Sequence, residues 1–448
     1  MQRRWRWIGV ALVVFAGAVV AAAPVVNGWQ AQKTWERSAD RLGRQAVLDT
    51  DGQARMEVTD YERGLYRSSV TSRVELPAAV VPPALRRALG VSMDGPIEFV
   101  LDHTVQHGLR GVTFEGHLRP VGPLARPFER LGGDDGSLRV NGRLGLGEQT
   151  FRLRSEALAG PVDAQGDLRL EIAPLALDSR YDNGSGEWDG SLEWSGFTLT
   201  EVATDAMLEL GSIRLDADLR LIAGQPSRGI WVGDTGLSLE DMTLRPADEP
   251  AMSLSRVDLE TSSRLTGEDR MEGDIRLDWQ GLVAPRAPRM QGAMALEFQR
   301  LDPPALLALS QSAAAESTAP VFGPEWRRLL AVLAAEAPRL ELSKLRVETA
   351  DGDGLEGRAK LMVRPVMAER LVNGAGGMAL WRALRLDAEL AIDSALIEAL
   401  PAEPRMWAEQ ARAFGILRRT ATDWRVEMSM DEGALRIHGE QPWWSAGG

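Results

Sequence analysis

The stretch Ile213-Arg214-Leu215-Asp216-Ala217-Asp218-Leu219 places an apolar side chain at every second residue and a charged one between. Successive side chains of a β-strand point to opposite faces, so this alternation predicts a strand with one covered and one wet face. Similar short runs occur at Leu138–Val140, Phe151–Arg154, Leu168–Ile172, Ser191–Trp194, Val257–Leu259 and Ile275–Trp279. Turns rich in Gly, Asp and Asn separate the runs. The pattern predicts a mainly β (β-rich α+β) fold, an extended antiparallel sheet or meander with a few helices.

Two hairpins are predicted near the ends of this meander. Alternating residues from Arg55 to Leu76 predict the first, with Gly64 in its turn. Trp424–Met430 and Ala434–His438 predict the last, which turns on Asp431-Glu432-Gly433. Both hairpins fit an antiparallel sheet, because adjacent antiparallel strands need only short connections.

Helical patterns interrupt the strands. Asp302 followed by Pro303 and Pro304 is typical of an N-cap and the first turn of a helix. The predicted helices cover residues 82–89, 301–309, 324–337 and 394–419, the last interrupted near Pro401 and Pro404. The predicted regions are 1–29 (cytoplasmic N-terminus and transmembrane anchor), 30–46 (helical stalk), 47–300 (β-rich) and 301–448 (α+β, continuing the same domain). A division into two subdomains near residue 300 stays open.

An uncharged run of nineteen residues extends from Ile8 to Val26. As a helix it would be roughly 28 Å long, enough to cross a hydrocarbon core of ~30 Å. Tryptophans flank both ends, as is common at membrane interfaces: Trp5, Trp7 and Trp29. A cleaved signal peptide is the alternative, because Val20–Ala23 offers small residues to a peptidase. The run predicts a single-pass bacterial inner-membrane protein with its C-terminal domain in the periplasm.

Composition excludes several function classes. The formal net charge of −13 argues against a nucleic-acid partner, because phosphate binding needs a basic face. The sequence contains no cysteine, which excludes disulfides, thiolate catalysis and cysteine-bound metal clusters. No phosphate-binding loop or dinucleotide fingerprint occurs, and no cofactor is predicted.

Three of the four histidines, His103, His107 and His117, lie close together in the sequence, with Asp102 and Glu115 nearby. Histidines four residues apart could share a metal ion on a helix. The surrounding pattern predicts strands, however, where residues i and i+4 lie about 13 Å apart. Structural histidines are therefore predicted rather than a metal site. Asp351–Gly354 is likewise predicted as a hairpin turn, because it lacks the spaced ligands of a calcium loop.

A resemblance to a known family rests first on the segment Tyr61-Glu62-Arg63-Gly64-Leu65-Tyr66-Arg67-Ser68-Ser69. Family members carry a similar Tyr-x-Arg-Gly segment, followed by small hydroxyl residues. His107-Gly108 is similar to their His-Gly element, although Leu109 replaces the proline that often follows. Leu237–Thr243 and the hairpin through Ile437-His438-Gly439 are also similar. The chain thus resembles the YdgA-like family of bacterial inner-membrane-anchored proteins, whose domain is of unknown function.

This resemblance implies a periplasm-facing domain with no established activity. It also marks the family-motif candidates Tyr61, Arg63, Gly64, His107 and Gly108, among which Tyr61, Arg63 and His107 could share a polar site. The alternative reading is that Arg63-Gly64 simply forms a tight turn.

The sequence favours a membrane-anchored, non-enzymatic envelope binding protein, whose partner is a lipid or another protein. A sheet with one long apolar face could hold acyl chains, or helices could cover that face as ordinary core. An envelope hydrolase with an unrecognised carboxylate or histidine site is one alternative. A homo-oligomeric scaffold held by edge strands is another.

Overall fold

A computed structural model describes part of the chain. The described residues are 55–62, 64, 67–76, 97–108, 111–134, 136–145, 147–163, 165–226, 228–267, 269–285, 287–315, 332–364, 382–399 and 402–440. The predicted anchor Ile8–Val26, the stalk 30–46 and the helix 82–89 lie outside them. Within the described ranges, no helix is long and apolar enough to span a membrane.

Strands dominate the described chain, and the predicted mainly β fold is confirmed. The first thirteen strands are β1 (Arg55–Glu62), β2 (Arg67–Leu76), β3 (Ile97–Gly108), β4 (Gly111–Val121), β5 (Leu138–Gly145), β6 (Glu148–Ser155), β7 (Leu158–Pro161), β8 (Leu168–Ile172), β9 (Leu175–Asp182), β10 (Glu187–Trp194), β11 (Phe197–Glu201), β12 (Ala206–Leu210) and β13 (Ile213–Gln225). The others are β14 (Arg228–Arg245), β15 (Met252–Leu265), β16 (Met271–Leu282), β17 (Met290–Leu301), β18 (Arg339–Thr349), β19 (Gly354–Val363), β20 (Leu384–Asp393), β21 (Arg418–Arg419), β22 (Asp423–Asp431) and β23 (Ala434–Ile437). The named α-helices are α1 (Ala125–Arg130), α2 (Pro303–Ala315), α3 (Ser394–Ala399) and α4 (Ala402–Ala413).

The chain forms two compact units. Unit 1 contains the described residues up to Arg220 together with Leu244–Asp248. Unit 2 contains the described residues of Leu221–Thr243 and those from Glu249 onward. Each unit is built on antiparallel sheet.

In unit 1 the main sheet has the strand order β1-β2-β3-β4-β5-β6-β9-β10-β13, with every pair antiparallel. The strands skipped by this order pair separately as β7-β8-β11-β12. The first hairpin, β1 with β2, is confirmed. The alternation that predicted strands is visible in β4, where Val112, Phe114 and Leu118 are buried and the charged residues between them are exposed.

The core of unit 1 lies against one face of this main sheet. Its buried residues come from five strands, β2 to β6: Val70, Leu101, Val105, Val112, Phe114, Leu118, Val140, Leu144, Phe151 and Leu153. A second buried cluster joins α1 to the smaller set of strands, through Leu131, Leu158, Val162 and Leu170.

In unit 2 the strand order is β15-β16-β17-β18-β19-β20-β22, again antiparallel throughout, and β22 also pairs with β21 and β23. The closing hairpin is therefore confirmed. Residues 351–354 connect β18 to β19 as the predicted turn, in which Thr349 N–H donates to Asp353 O at 2.8 Å.

The helix predicted from Asp302 is confirmed as α2. Asp302 Oδ1 accepts a hydrogen bond from Ala305 N at 2.8 Å, as an N-cap does. Arg270 fixes this cap, since Nη1 lies 3.3 Å from Asp302 Oδ2 while Nη2 lies 2.8 Å from Glu336 Oε1. Residues 332–335 are helical, and the rest of the helix predicted over 324–337 lies outside the described residues or, at 336 and 337, is not helical.

The helix predicted over residues 394–419 is wrong at its C-terminal end. The break between α3 and α4 is present, but α4 ends at Ala413. Gly415 adopts a φ of 72°, and Ile416 N–H donates back to Ala411 O at 2.9 Å, which closes the helix with a left-handed residue. Arg418 and Arg419 then form β21 beside β22.

Candidate functional site

A cluster of polar side chains interrupts the covered face of the unit 1 sheet. We call Ser68, Ser72, His103 and His107 the polar cluster; the two serines lie on β2 and the two histidines on β3. Ser68, Ser72 and His103 are only 1%, 0% and 5% exposed. Buried polar groups are costly unless they are hydrogen-bonded, so the contacts within this cluster determine what it can do.

Ser68 and His107 form a side-chain pair. Ser68 Oγ lies 2.9 Å from His107 Nε2, within the distance at which a base activates a hydroxyl nucleophile. The carboxylate of the neighbouring Asp102 accepts hydrogen bonds from Thr71 Oγ1 at 2.8 Å and Arg119 Nε at 3.2 Å. Ser68 is also closed to solvent. The pair therefore has the geometry of a structural hydrogen bond in the core.

Replacing Ser68 by alanine is expected to destabilise the β2–β3 pair by about 1–2 kcal/mol, because the half-buried His107 imidazole loses this hydrogen bond. Hydrogen exchange of the β2 and β3 amides measures the change. Ser69→Ala is the matched control, since Ser69 is exposed on the same strand, and should change stability by less than about 0.5 kcal/mol. Equal effects of the two substitutions would contradict the structural role of Ser68.

His103 is neutral at pH 7. Burial lowers the pKa of its imidazole from 6.5 to about 4, although the hydrogen bond to Leu101 O and the charge of Asp102 act in the opposite direction. The Nδ1–H group donates to Leu101 O at 3.3 Å. His117 is exposed on β4, whereas His103 is buried. Among the described residues, no three acidic or histidine side chains lie close enough to hold a metal ion together.

The structure separates the family-motif candidates. Tyr61 on β1 pairs with Val70 on β2, and Val70 pairs with His103 on β3. Tyr61 is therefore aligned with His103 and not with His107. The buried Tyr61 hydroxyl has no hydrogen-bond partner within the described ranges. Gly108 pairs with Gly111 where β3 meets β4.

The other two motif residues belong to the connection between β1 and β2. Arg63 lies outside the described residues. A Cβ atom at Gly64 would collide with Arg67 O, so only glycine fits this close approach of two backbone segments. This observation gives a steric reason for glycine at position 64.

Sequence reasoning missed Ser68, Ser72 and the burial of His103. A signal was present, because Ser68 and Ser72 share their side of β2 with Val70. Small hydroxyl residues at apolar-face positions indicate buried polar contacts, but the contacting partners come from another strand.

A second candidate site is the apolar face of the unit 2 sheet. One row across seven strands consists of Leu259, Leu277, Met294, Leu345, Gly357, Leu390 and Val426. The flanking rows are also apolar and contain Trp279, Leu296, Leu342, Val347 and Leu361. Aromatic rings pack over glycine residues on this face. For example, a Cβ atom at Gly292 would lie 2.5 Å from two atoms of the Trp279 indole.

The two units differ in how deeply their apolar faces are buried. In unit 1, Val105, Phe114 and Leu144 are only 4–5% exposed. In unit 2, the leucines and methionines of the apolar face on β15–β19 are half-buried throughout the described residues, and Leu340 is 38% exposed. At the end near β22, α3 and α4 pack on Trp424 in a compact cluster. Among the described residues, the apolar side chains of β15–β19 are therefore incompletely covered and leave area for an apolar ligand.

The opposite face of the unit 2 sheet is charged. Neighbouring side chains form ion pairs there, including Arg256–Asp258 at 2.6 Å, Arg264–Glu272 at 2.6 Å, Arg276–Asp274 at 3.2 Å and Arg358–Glu389 at 2.6 Å. The Arg256 guanidinium holds the pKa of the Asp258 carboxyl below its usual value. Exposed pairs of this kind add little stability, but they keep this face hydrated.

Comparison with known proteins identifies a family and no activity. Residues 5–441 match a family described as "Bacterial protein of unknown function (DUF945)". No curated protein matches the chain, and no solved structure does.

Proposed function

The chain belongs to the bacterial DUF945 family, and we propose that it is a non-enzymatic envelope protein whose unit 2 apolar face binds lipid acyl chains. The observation that carries the proposal is the half-buried apolar surface that extends over the five strands β15–β19. Burying apolar area releases about 25 cal/mol per Å², so an acyl chain laid on this face would gain affinity from every leucine that it covers.

We further propose that residues 8–26 anchor the chain in the bacterial inner membrane, with both units in the periplasm, as in YdgA-like proteins. The uncharged run Ile8–Val26 and its flanking tryptophans support this placement. A membrane anchor would keep the apolar face close to a source of lipid.

The hydrolase alternative is less well supported. Within the described residues, Ser68 and His107 form a nucleophile–base pair. Ser68 lies in the closed core of unit 1. Ser68 is only 1% exposed, so a substrate could not reach its hydroxyl in this structure.

The scaffold alternative requires edge strands that can pair with another copy. β1 has a bulge at Thr59 and exposed charges at Arg55, Glu57 and Asp60, all features that discourage edge pairing. β23 has only four residues. These edges favour a monomeric sheet.

Acyl-chain photo-crosslinking tests the proposal. The full-length chain is reconstituted with a phospholipid that carries a diazirine in its acyl chain, and adducts are mapped by mass spectrometry. We expect adducts on the apolar side chains of β15–β20 in addition to any on residues 8–26. Adducts confined to 8–26 would contradict lipid binding by unit 2.

Two adjacent positions on β17 provide matched variants. Met294 lies on the apolar face, and Ala295 lies on the charged face between Arg276 and Lys344. Met294→Glu should reduce unit 2 adducts about tenfold, because a carboxylate beside an acyl chain costs more than 1.4 kcal/mol. Ala295→Glu should leave the adducts unchanged. Circular dichroism of both variants checks that the sheet is intact.

A further inference from the structure

The distribution of charge over the unit 2 sheet indicates which part of a lipid it recognises. From Val257 to Ser263 on β15, and at the aligned positions across to β22, no described residue of the apolar face is charged. The charged side chains of the same strands lie on the opposite face and pair with one another. A headgroup phosphate or ammonium would find no charged partner among the described residues of the apolar face.

The dimensions of the face fit acyl chains. The five strands β15–β19, spaced about 4.8 Å apart, give a width of roughly 19 Å, and four rows along each strand give about 20 Å. One leaflet of a bilayer is about 15 Å of hydrocarbon, so a single acyl chain would fit in either direction.

A second copy of the chain is a poorer occupant. The open part of the face has an area of roughly 400 Å², whereas a stable interface buries about 800 Å² on each partner.

We infer that the unit 2 apolar face selects ligands by the length of their acyl chain and is indifferent to the headgroup. This inference rests on the proposed lipid binding. The chain lies on Leu277, Met294 and Leu345 and their neighbours, while the headgroup stays in water beyond the edge of the sheet. The ligand class is therefore any envelope lipid with long saturated or monounsaturated chains.

Competition against the photoreactive phospholipid tests the inference on the full-length chain in amphipol. The competitors are lysophosphatidylethanolamine, lysophosphatidylglycerol and monoacylglycerol with sixteen-carbon chains, and lysophosphatidylglycerol with a twelve-carbon chain. The three headgroups should compete within about threefold of one another. Shortening the chain by four methylenes should weaken competition about fifteenfold, since each half-buried methylene contributes about a factor of two.

Three other results would overturn the inference, and each of them has a different meaning. A headgroup preference above tenfold would show selection by charge and would leave the proposed lipid binding intact. An absence of unit 2 adducts with every lipid would remove the proposed function as well. Adducts that decline as the protein concentration rises would assign the face to a second copy of the chain. Met294→Glu should abolish the dependence on chain length, and Ala295→Glu should preserve it.

Discussion

Replacing Gly116 by alanine is expected to destabilise unit 1 by about 3 kcal/mol, the upper part of the range for overpacked cores. A Cβ at this position would lie 2.5 Å from Asp102 O and 2.8 Å from His103 Cα, and closer still to His103 Cβ. Two of these three atoms are backbone atoms of the neighbouring strand, so no side-chain rotation can relieve the clash. Strands β3 and β4 would have to separate where the polar cluster packs.

Hydrogen exchange of the β3 and β4 amides reports this loss locally, which is suitable for a chain with two units. Gly147→Ala is the matched control, because a Cβ at Gly147 meets no atom within 4 Å. Both glycines belong to unit 1, so a general effect of alanine would appear at both positions. Full protection of β3 in Gly116→Ala would show that the sheet can absorb the added methyl group.

Acidification from pH 7 to pH 4 is expected to destabilise unit 1 by about 3 kcal/mol through His103 alone. The folded-state pKa of His103 is about 4, below its value of 6.5 in the unfolded chain. Between these values the unfolded chain binds a proton that the folded chain excludes, so stability falls as pH decreases. Above pH 6.5 neither state binds the proton, and below about pH 4 both do, so the loss is confined to this window.

His103→Gln isolates this effect, because glutamine can donate a similar hydrogen bond and does not titrate. Hydrogen exchange gives the free energy of opening β3 in each protein. Between pH 7 and pH 4 the natural chain should lose about 3 kcal/mol of this free energy relative to His103→Gln. Carboxylates act at lower pH: hydrogen bonds from Ser185 N–H and Gly184 N–H hold the pKa of Asp182 below its usual 3.8. Parallel pH profiles for the variant and the natural chain would contradict a buried neutral His103.

The strands were the most predictable part of the fold. Runs such as Ile213–Leu219 and Ile275–Trp279 are strands, because an alternating sequence can bury its apolar residues on one face only in an extended conformation. The turn at Asp182 was equally local, since Asp182 Oδ1 accepts from Gly184 N at 2.7 Å and Ser185 N at 2.9 Å.

The errors arose where a distant partner decides the local structure. Arg418 and Arg419 continue a helical pattern, yet they pair with Arg425 and Trp424 after Gly415 closes the helix. Likewise, Ser68 contacts His107 thirty-nine residues away, through a strand pairing that no local pattern specifies.

The sequence by itself determined the β class, the alternation of wet and covered faces, most turns and the N-cap of α2, because these depend on neighbours within a few residues. It also determined the uncharged run Ile8–Val26 and the absence of cysteine chemistry. Only the tertiary structure decided that the apolar face is closed in unit 1 and half-buried in unit 2. The physical reason is that an alternating strand specifies which side chains share a face, whereas the burial of that face depends on what packs against it from elsewhere in the chain.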